Sequence, residues 1–215
     1  MQIEAKKILC VGLNYKSHAE ETGGEPPKEP VIFSKFPDAL ARDGQEIALP
    51  SWHRCYDYEA ELVIVMGKAL YRAGSEAEAK DAIGGYTCGN DLSARDCQFR
   101  SNQWLIGKSL PGFAPIGPRI VPADEFDPTQ PHRIACEVNG AVVQDDDVTN
   151  MIFSCAEIVK YISDFIALAP GDLIFTGTPA GVILGHPKGH RVWLKPGDEV
   201  AVTIEGIGTL RNRLV

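Results

Sequence analysis

Three carboxylates in this chain are placed to do chemistry: Glu59 and Glu61 in Asp57-Tyr58-Glu59-Ala60-Glu61-Leu62-Val63-Ile64-Val65-Met66, and Asp91 in Cys88-Gly89-Asn90-Asp91-Leu92-Ser93-Ala94-Arg95-Asp96. In an extended chain alternate side chains share a face, so Glu59 and Glu61 point one way while Tyr58, Ala60 and Leu62 point the other. Two like charges at the mouth of an apolar strand repel each other and lose hydration, and a cation or a shared proton relieves both costs. Donors that are all oxygen suit the hard cations Mg2+, Mn2+ or Ca2+, whereas zinc takes nitrogen or sulfur. Mg2+ accepts about six oxygens, so three protein ligands leave places for water and a chelating substrate. The alternative for the same residues is a solvated strand end, with Asp91 as a helix cap.

Three further groups carry chemical potential. In Asn14-Tyr15-Lys16-Ser17-His18-Ala19-Glu20-Glu21, a helical turn sets His18 and Glu21 at i and i+3. There the carboxylate orients the imidazole and raises its basicity, as a general base for water requires. Thr176-Gly177-Thr178-Pro179-Ala180-Gly181-Val182 is a glycine-bearing loop whose N–H groups and Thr178 hydroxyl can receive a substrate carboxylate. It is not a phosphate loop, since no Gly-Lys-Ser/Thr follows. Lys108, after Trp104-Leu105-Ile106-Gly107, is a lone cation suited to meet negative charge on an enolate. Each group also reads as an ordinary surface side chain or turn. His186 and His190 read as loop residues, because Pro187 and Gly189 spoil the helix that would align a metal pair.

The elements that must position these groups are mostly strands. Residues 7–13, 31–36, 59–66, 116–121, 133–138, 173–176 and 199–205 are short, β-branched and bounded by Gly, Pro or Asp. Asn139-Gly140 between two such runs predicts a tight hairpin, and Pro170-Gly171-Asp172 and Pro196-Gly197-Asp198 read as turns launching strands. Ser154 with Glu157 forms a capping-box pattern, followed by Ile158, Ile162, Phe165 and Ile166 as one apolar helix face ending before Pro170. Ser75 with Glu78 predicts a shorter helix ending near Gly84-Gly85, and Ser93 a third beginning just after Asp91. Thr22-Gly23-Gly24-Glu25-Pro26-Pro27 reads as a mobile loop, suited to close over the site as a lid.

With 215 residues, 44% hydrophobic and 23% charged, the chain is expected to form a single globular domain over residues 1–215. A net charge of −8 argues against nucleic acid or an anionic membrane as partner, since both require a positive face. No apolar run approaches the roughly 18 residues of a membrane span. Six cysteines lack any Cys-x-x-Cys spacing, and the polar start followed by a short apolar run does not make a signal peptide. A cytoplasmic protein with free thiols is expected.

Together these segments resemble the fumarylacetoacetate hydrolase family, in collinear order across nearly the whole chain. The matching stretches are residues 11–21, 58–62, 89–96, 108–109, 138–140 and 170–182. The resemblance implies an α+β, β-rich fold, with mixed β-sheets rolled into a sandwich or barrel-like form and a few short helices, assembled as a homodimer. It implies Glu59, Glu61 and Asp91 as ligands of Mg2+ or Mn2+, His18 and Glu21 as a water-activating dyad, and Lys108 as the cation that assists the enolate. Tyr15, Arg95, Gln98 and Thr178 match substrate-binding positions. Short 2-oxo acids are the implied substrates, with hydrolysis of an acylpyruvate-type 2,4-dioxo acid as the leading expectation. Oxaloacetate decarboxylation, tautomerisation or isomerisation through the same enolate is the runner-up. A non-catalytic protein with a structural Ca2+, or a small-molecule binding module, is the alternative from another class.

Overall fold

In the computed structural model, which describes residues 5–21, 23 and 25–215, the strands in chain order are β1 (Ile8–Gly12), β2 (Val31–Lys35), β3 (Leu40–Arg42), β4 (Tyr56–Asp57), β5 (Ala60–Met66), β6 (Ile83–Asn90), β7 (Ser93–Ala94), β8 (Ala114–Pro122), β9 (Arg133–Val138), β10 (Ala141–Asp147), β11 (Leu173–Phe175), β12 (Glu199–Ile204) and β13 (Gly208–Arg213). Between them lie the α-helices α1 (Lys16–Glu21), α2 (Glu76–Asp81), α3 (Arg95–Gln98), α4 (Leu105–Lys108) and α5 (Cys155–Phe165).

The largest sheet has seven strands in the order β2-β1-β11-β5-β6-β8-β3. It is mixed: β1 runs parallel to β11, and β3 to β8, while β11 is antiparallel to β5 on its other side. A four-stranded antiparallel sheet, β10-β9-β12-β13, and the small ribbon β4-β7 complete the framework. This is the β-rich α+β fold of curled, mixed sheets that the strand pattern and the resemblance imply.

Strand β5 is buried at every position, because both faces of the central sheet are covered. Its alternation sorts the side chains. Leu62, Ile64 and Met66 join the main core with Leu9 and Ile174 and with Cys136, Val202 and Leu210 of the four-stranded sheet. Val63 and Val65 join Ile8, Cys10, Leu173 and Phe175 in a second cluster. Burial of each large aliphatic side chain contributes roughly 1.5–3 kcal/mol. Glu61 shares the parity of Val63 and Val65, so its carboxylate rises on the second face.

The local signals behave as their chemistry requires. Asn139 and Gly140 take φ of 53° and 80° between paired Val138 and Ala141, the conformation a primed hairpin turn demands. Ser75 caps α2, and Ser154 with Glu157 closes the capping box of α5. On α5 the buried face is Ile158, Val159 and Ile162, whereas Phe165 remains 69% exposed, contrary to its expected place on the apolar face.

Two further expectations change. Ser93 caps no helix: it lies in β7 and its hydroxyl donates to the Asp91 carbonyl at 3.0 Å, while α3 begins later, at Arg95. Gly84 and Gly85 do not mark a helix end but lie within β6. There glycine serves close approach: a Cβ on Gly89 would stand 2.4 Å from Val63 Cγ2 and 2.6 Å from Phe175 Cε1. The expected lid falls partly on Thr22 and Gly24, which lie outside the described residues.

Candidate metal centre and active site

Strands β5 and β6 pair antiparallel, with Ala60 opposite Asn90, so the residue before β5 and the residue after β6 meet at one end. Glu59 and Asp91 occupy those positions. Two hydrogen bonds hold the corner: the Asp91 N–H donates to the Glu59 carbonyl, and the Glu59 N–H to Asn90 Oδ1, both at 2.9 Å. One oxygen from each of Glu59, Glu61 and Asp91 lies within 4.8 Å of the others, and the three residues are 5%, 1% and 0% exposed.

Buried cations answer most of this charge. Lys108 Nζ bridges Glu59 Oε2 at 2.6 Å and Asp91 Oδ2 at 2.8 Å, and Arg95 Nη2 reaches Glu59 Oε1 at 2.7 Å. Lys35 Nζ lies 2.5 Å from Asp91 Oδ1. Among the described residues Glu61 has no ion pair, only the Gly177 N–H at 2.7 Å. Burial, then Asp91 and Glu59, push the Glu61 carboxyl well above its ordinary value. Burial also opposes ionisation of Glu59, but Lys108 and Arg95 outweigh it and hold Glu59 at about 2. An oxygen-only cluster that retains one uncompensated carboxylate fits a hard divalent cation, which removes the penalty at Glu61.

The cations are themselves anchored. Lys35, 2% exposed, donates to the carbonyls of Leu92 at 3.0 Å and Phe113 at 2.7 Å, and also to that of Lys108. It therefore braces Asp91 of the acidic triad and the backbone of the neighbouring lysine at once. Arg95 gives Nε to Asp57 Oδ2 at 2.8 Å and Nη1 to Gln98 Oε1 at 2.9 Å. Because the Gln98 oxygen accepts from Arg95, its amide N–H groups remain as donors. Asp57, wholly buried, also accepts from the N–H groups of Ile183 and Leu184, tying Arg95 to the loop after Thr178.

Helix α1 brings His18 and Glu21 together, with Nδ1 to Oε2 at 3.3 Å. The other Glu21 oxygen accepts from the Gly181 N–H at 3.0 Å. Gly185 makes room for this carboxylate, since a Cβ there would stand 2.1 Å from Glu21 Cδ. Thr178 Oγ1 accepts from Gln144 Nε2 at 2.9 Å, which leaves the Thr178 hydroxyl hydrogen free to donate.

All of this opens on one cavity of about 520 Å³, whose wall includes His18, Glu21, Glu59, Glu61, Lys108 and Thr178. Arg95 and Gln98 also line it; Asp91 lies beneath, in the triad. Tyr15 stands apart from these, since it is 0% exposed, is no part of the wall, and its hydroxyl has no hydrogen-bond partner among the described residues. His186 and His190 lie at short 3-10 turns beyond Gly185. Sequence reasoning missed Lys35, Asp57 and Gln144. A Lys ending an apolar strand was a usable signal for Lys35, whereas Asp57 and Gln144 carry no local mark.

Residues 7–215 match the family described as "Fumarylacetoacetate (FAA) hydrolase C-terminal". The fumarylacetoacetate hydrolase domain-containing protein 2 homolog of Dictyostelium discoideum is 45% identical over 99% of this chain and 72% of its own length. The human protein named oxaloacetate tautomerase FAHD2A, mitochondrial, is 41% identical over 97% of this chain. The chain thus spans 66% of the human protein, just under two thirds of its length. The crystal structure of fumarylpyruvate hydrolase from Pseudomonas aeruginosa in complex with Mn2+ and pyruvate superposes with a TM-score of 0.89 and 36% identity, covering 100% of this chain and 91% of that one.

Proposed function

The chain belongs to the fumarylacetoacetate hydrolase family, and on that premise we propose that it is a metal-dependent enzyme that hydrolyses the carbon–carbon bond of a small acylpyruvate-type 2,4-dioxo acid. The observation that carries this reading is the His18–Glu21 pair on the wall of the same cavity as Glu59 and Glu61. Moving a proton between keto and enol forms does not require a group that activates water.

Glu59, Glu61 and Asp91 would hold Mg2+ or Mn2+. Such an ion would supply Lewis acidity toward a 2-oxo acid. The chain's own residues do the rest. His18, oriented by Glu21, takes the proton of a water that adds to the C4 carbonyl. The C3–C4 bond then breaks, its electron pair stays on C3 as the enolate of pyruvate, and the acyl part leaves as a carboxylic acid. Lys108 places a buried cation where that negative charge develops. The amide of Gln98 and the Thr178 hydroxyl supply the donors that orient the substrate.

A second reading, keto–enol tautomerisation of oxaloacetate, is favoured by the likeness to the human tautomerase. Acetylpyruvate and oxaloacetate assayed side by side with Mg2+ and Mn2+, in wild type and His18→Ala, separate the two. Hydrolysis that drops about 100-fold or more in the variant while tautomerisation persists supports the first; acetylpyruvate left uncleaved by the wild type refutes it.

The six thiols are free, which suits a reducing compartment such as the cytosol. Exposed Phe36, Phe99 and Ile106 suit burial against a second copy of the chain. Light scattering that returns the monomer mass would end the dimer proposal.

A further inference from the structure

A second cavity, of about 330 Å³, lies at the start of α5 and shares no wall residue with the cavity of the triad. Its size falls at the lower end of the range for small-molecule sites. Ile83, Val148, Met151 and Ile152 give it apolar wall, and Tyr86 stands among them. Tyr86 is 2% exposed, and its hydroxyl has no hydrogen-bond partner among the described residues. Burial, then Cys155 and Asp127, push that hydroxyl above its ordinary value, so it keeps its proton. Both neighbours line the same cavity, which places the hydroxyl toward it. A buried donor in this state is costly unless a guest accepts from it.

The helix supplies another donor. The capping box engages the N–H groups of Ser154 and Glu157, whereas the N–H of Ala156, also on the wall, has no acceptor among the described residues. It belongs to the positive end of a helix of 11 residues. Lys80 is an exposed part of the wall and forms no ion pair among the described residues. Two donors and a cation favour one carboxylate. A second negative charge would meet Asp127 and Glu157, which line the same wall, and the body of the guest must be apolar to match the rest. One side of the cavity is also fastened to the turn that carries His18. Met151 pairs with Tyr15 in a β-bridge, the Ile152 N–H donates to the Asn14 carbonyl at 2.7 Å, and the Phe153 N–H to Asn14 Oδ1 at 2.7 Å. Asn14 is wholly buried, and α1 begins at Lys16.

We propose that this cavity is a second ligand site, for a small monocarboxylic acid with an apolar body, and that its occupancy is felt at His18 through Asn14. The carboxylate accepts from Tyr86 and Ala156, and the aliphatic end packs on Val148 and Met151. Neither part depends on which reaction the triad cavity performs.

The test follows the isotope-labelled full chain by NMR, with Mg2+ present, during titration with isovalerate and, separately, with isoamyl alcohol, which keeps the apolar body and lacks the charge. The acid is expected to shift the Ala156 and Met151 amide signals saturably, and the alcohol to bind about 10-fold more weakly or worse. Tyr86→Phe removes the hydroxyl and retains the ring against Phe126, so it should weaken the acid about 10-fold. Lys80→Gln, at an exposed position, should weaken it about 2- to 5-fold. The His18 imidazole signals should move with the same midpoint as Ala156, and both midpoints should rise together in Tyr86→Phe. No saturable shift at Ala156, equal binding of acid and alcohol, or binding indifferent to Tyr86→Phe overturns the site. Shifts confined to His18 and Thr178 place the acid in the triad cavity and overturn it too. A filled cavity with unmoved His18 signals refutes the coupling alone.

Discussion

Glu61 is the residue on which the centre turns, because its charge has no ion-pairing side chain among the described residues. A carboxyl raised by folding is favoured in its protonated form, so its contribution to stability is present at low pH and is lost as pH climbs above the ordinary 4.5 through the raised value. Glu59 has the opposite sign: held at about 2, it stabilises the fold above 4.5, and that stability is lost as pH falls toward 2. In chelator, melting temperature should therefore fall as pH rises past the Glu61 transition, and saturating Mn2+ should flatten the decline. A metal-free protein that grows steadily more stable over that range would contradict the electrostatic account. Gly185 offers a second test at this scale. The Cβ of Gly185→Ala would displace the flexible end of Glu21 and break its contact with His18. On the proposed hydrolysis, kcat should fall by about 100-fold, within the range for lost acid–base assistance, with little change in melting temperature. Equal loss of fold and activity would mean that Gly185 supports structure and not the dyad.

At the scale of elements, what was legible in the sequence was whatever has a local cause. The Asn139-Gly140 hairpin, the capping box at Ser154 and the period-two separation of Glu59 and Glu61 from Ala60 and Leu62 depend on neighbours in the chain. Strand β6 was hidden because Gly84, Gly85 and Gly89 imitate a turn, and only the partner strands reveal that each sits where a side chain does not fit. Lys35 and Asp57 were unreadable as site residues for the same reason: their partners lie 56 and 38 positions away, at Asp91 and Arg95. Ser93 carried a true capping signature, but pairing between Asp57 and Ser93 claimed that residue for a strand. The β6 explanation predicts that Gly89→Ala, which crowds Val63 and Phe175, destabilises the protein by about 1–3 kcal/mol in urea unfolding. A neutral result would show that the sheet yields there at no cost.

For the whole molecule, the triad joins β5, β6 and the segments that brace them, so an ion bound there should stabilise the fold and not merely a pocket. At a free concentration about 100 times Kd, linkage gives about 2.7 kcal/mol, or roughly 5–10 °C for a chain of this size. Differential scanning fluorimetry with and without Mn2+ measures it, and unchanged melting at saturating metal would argue against binding at the triad. The order of the central sheet bears on how such a chain is made. Strand β11 is three residues long and sits between β1 and β5, yet it is synthesised long after both. Until Phe175 has left the ribosome, the nascent chain carries its carboxylate triad beside two unzipped strand margins, each an invitation to pair with another chain. Glu21 meanwhile waits for Gly181 and Gly185. The His18–Glu21 pair is thus the last part of the site to be assembled, and a chain cut short before Leu173 is expected to aggregate instead of persisting as a smaller folded module.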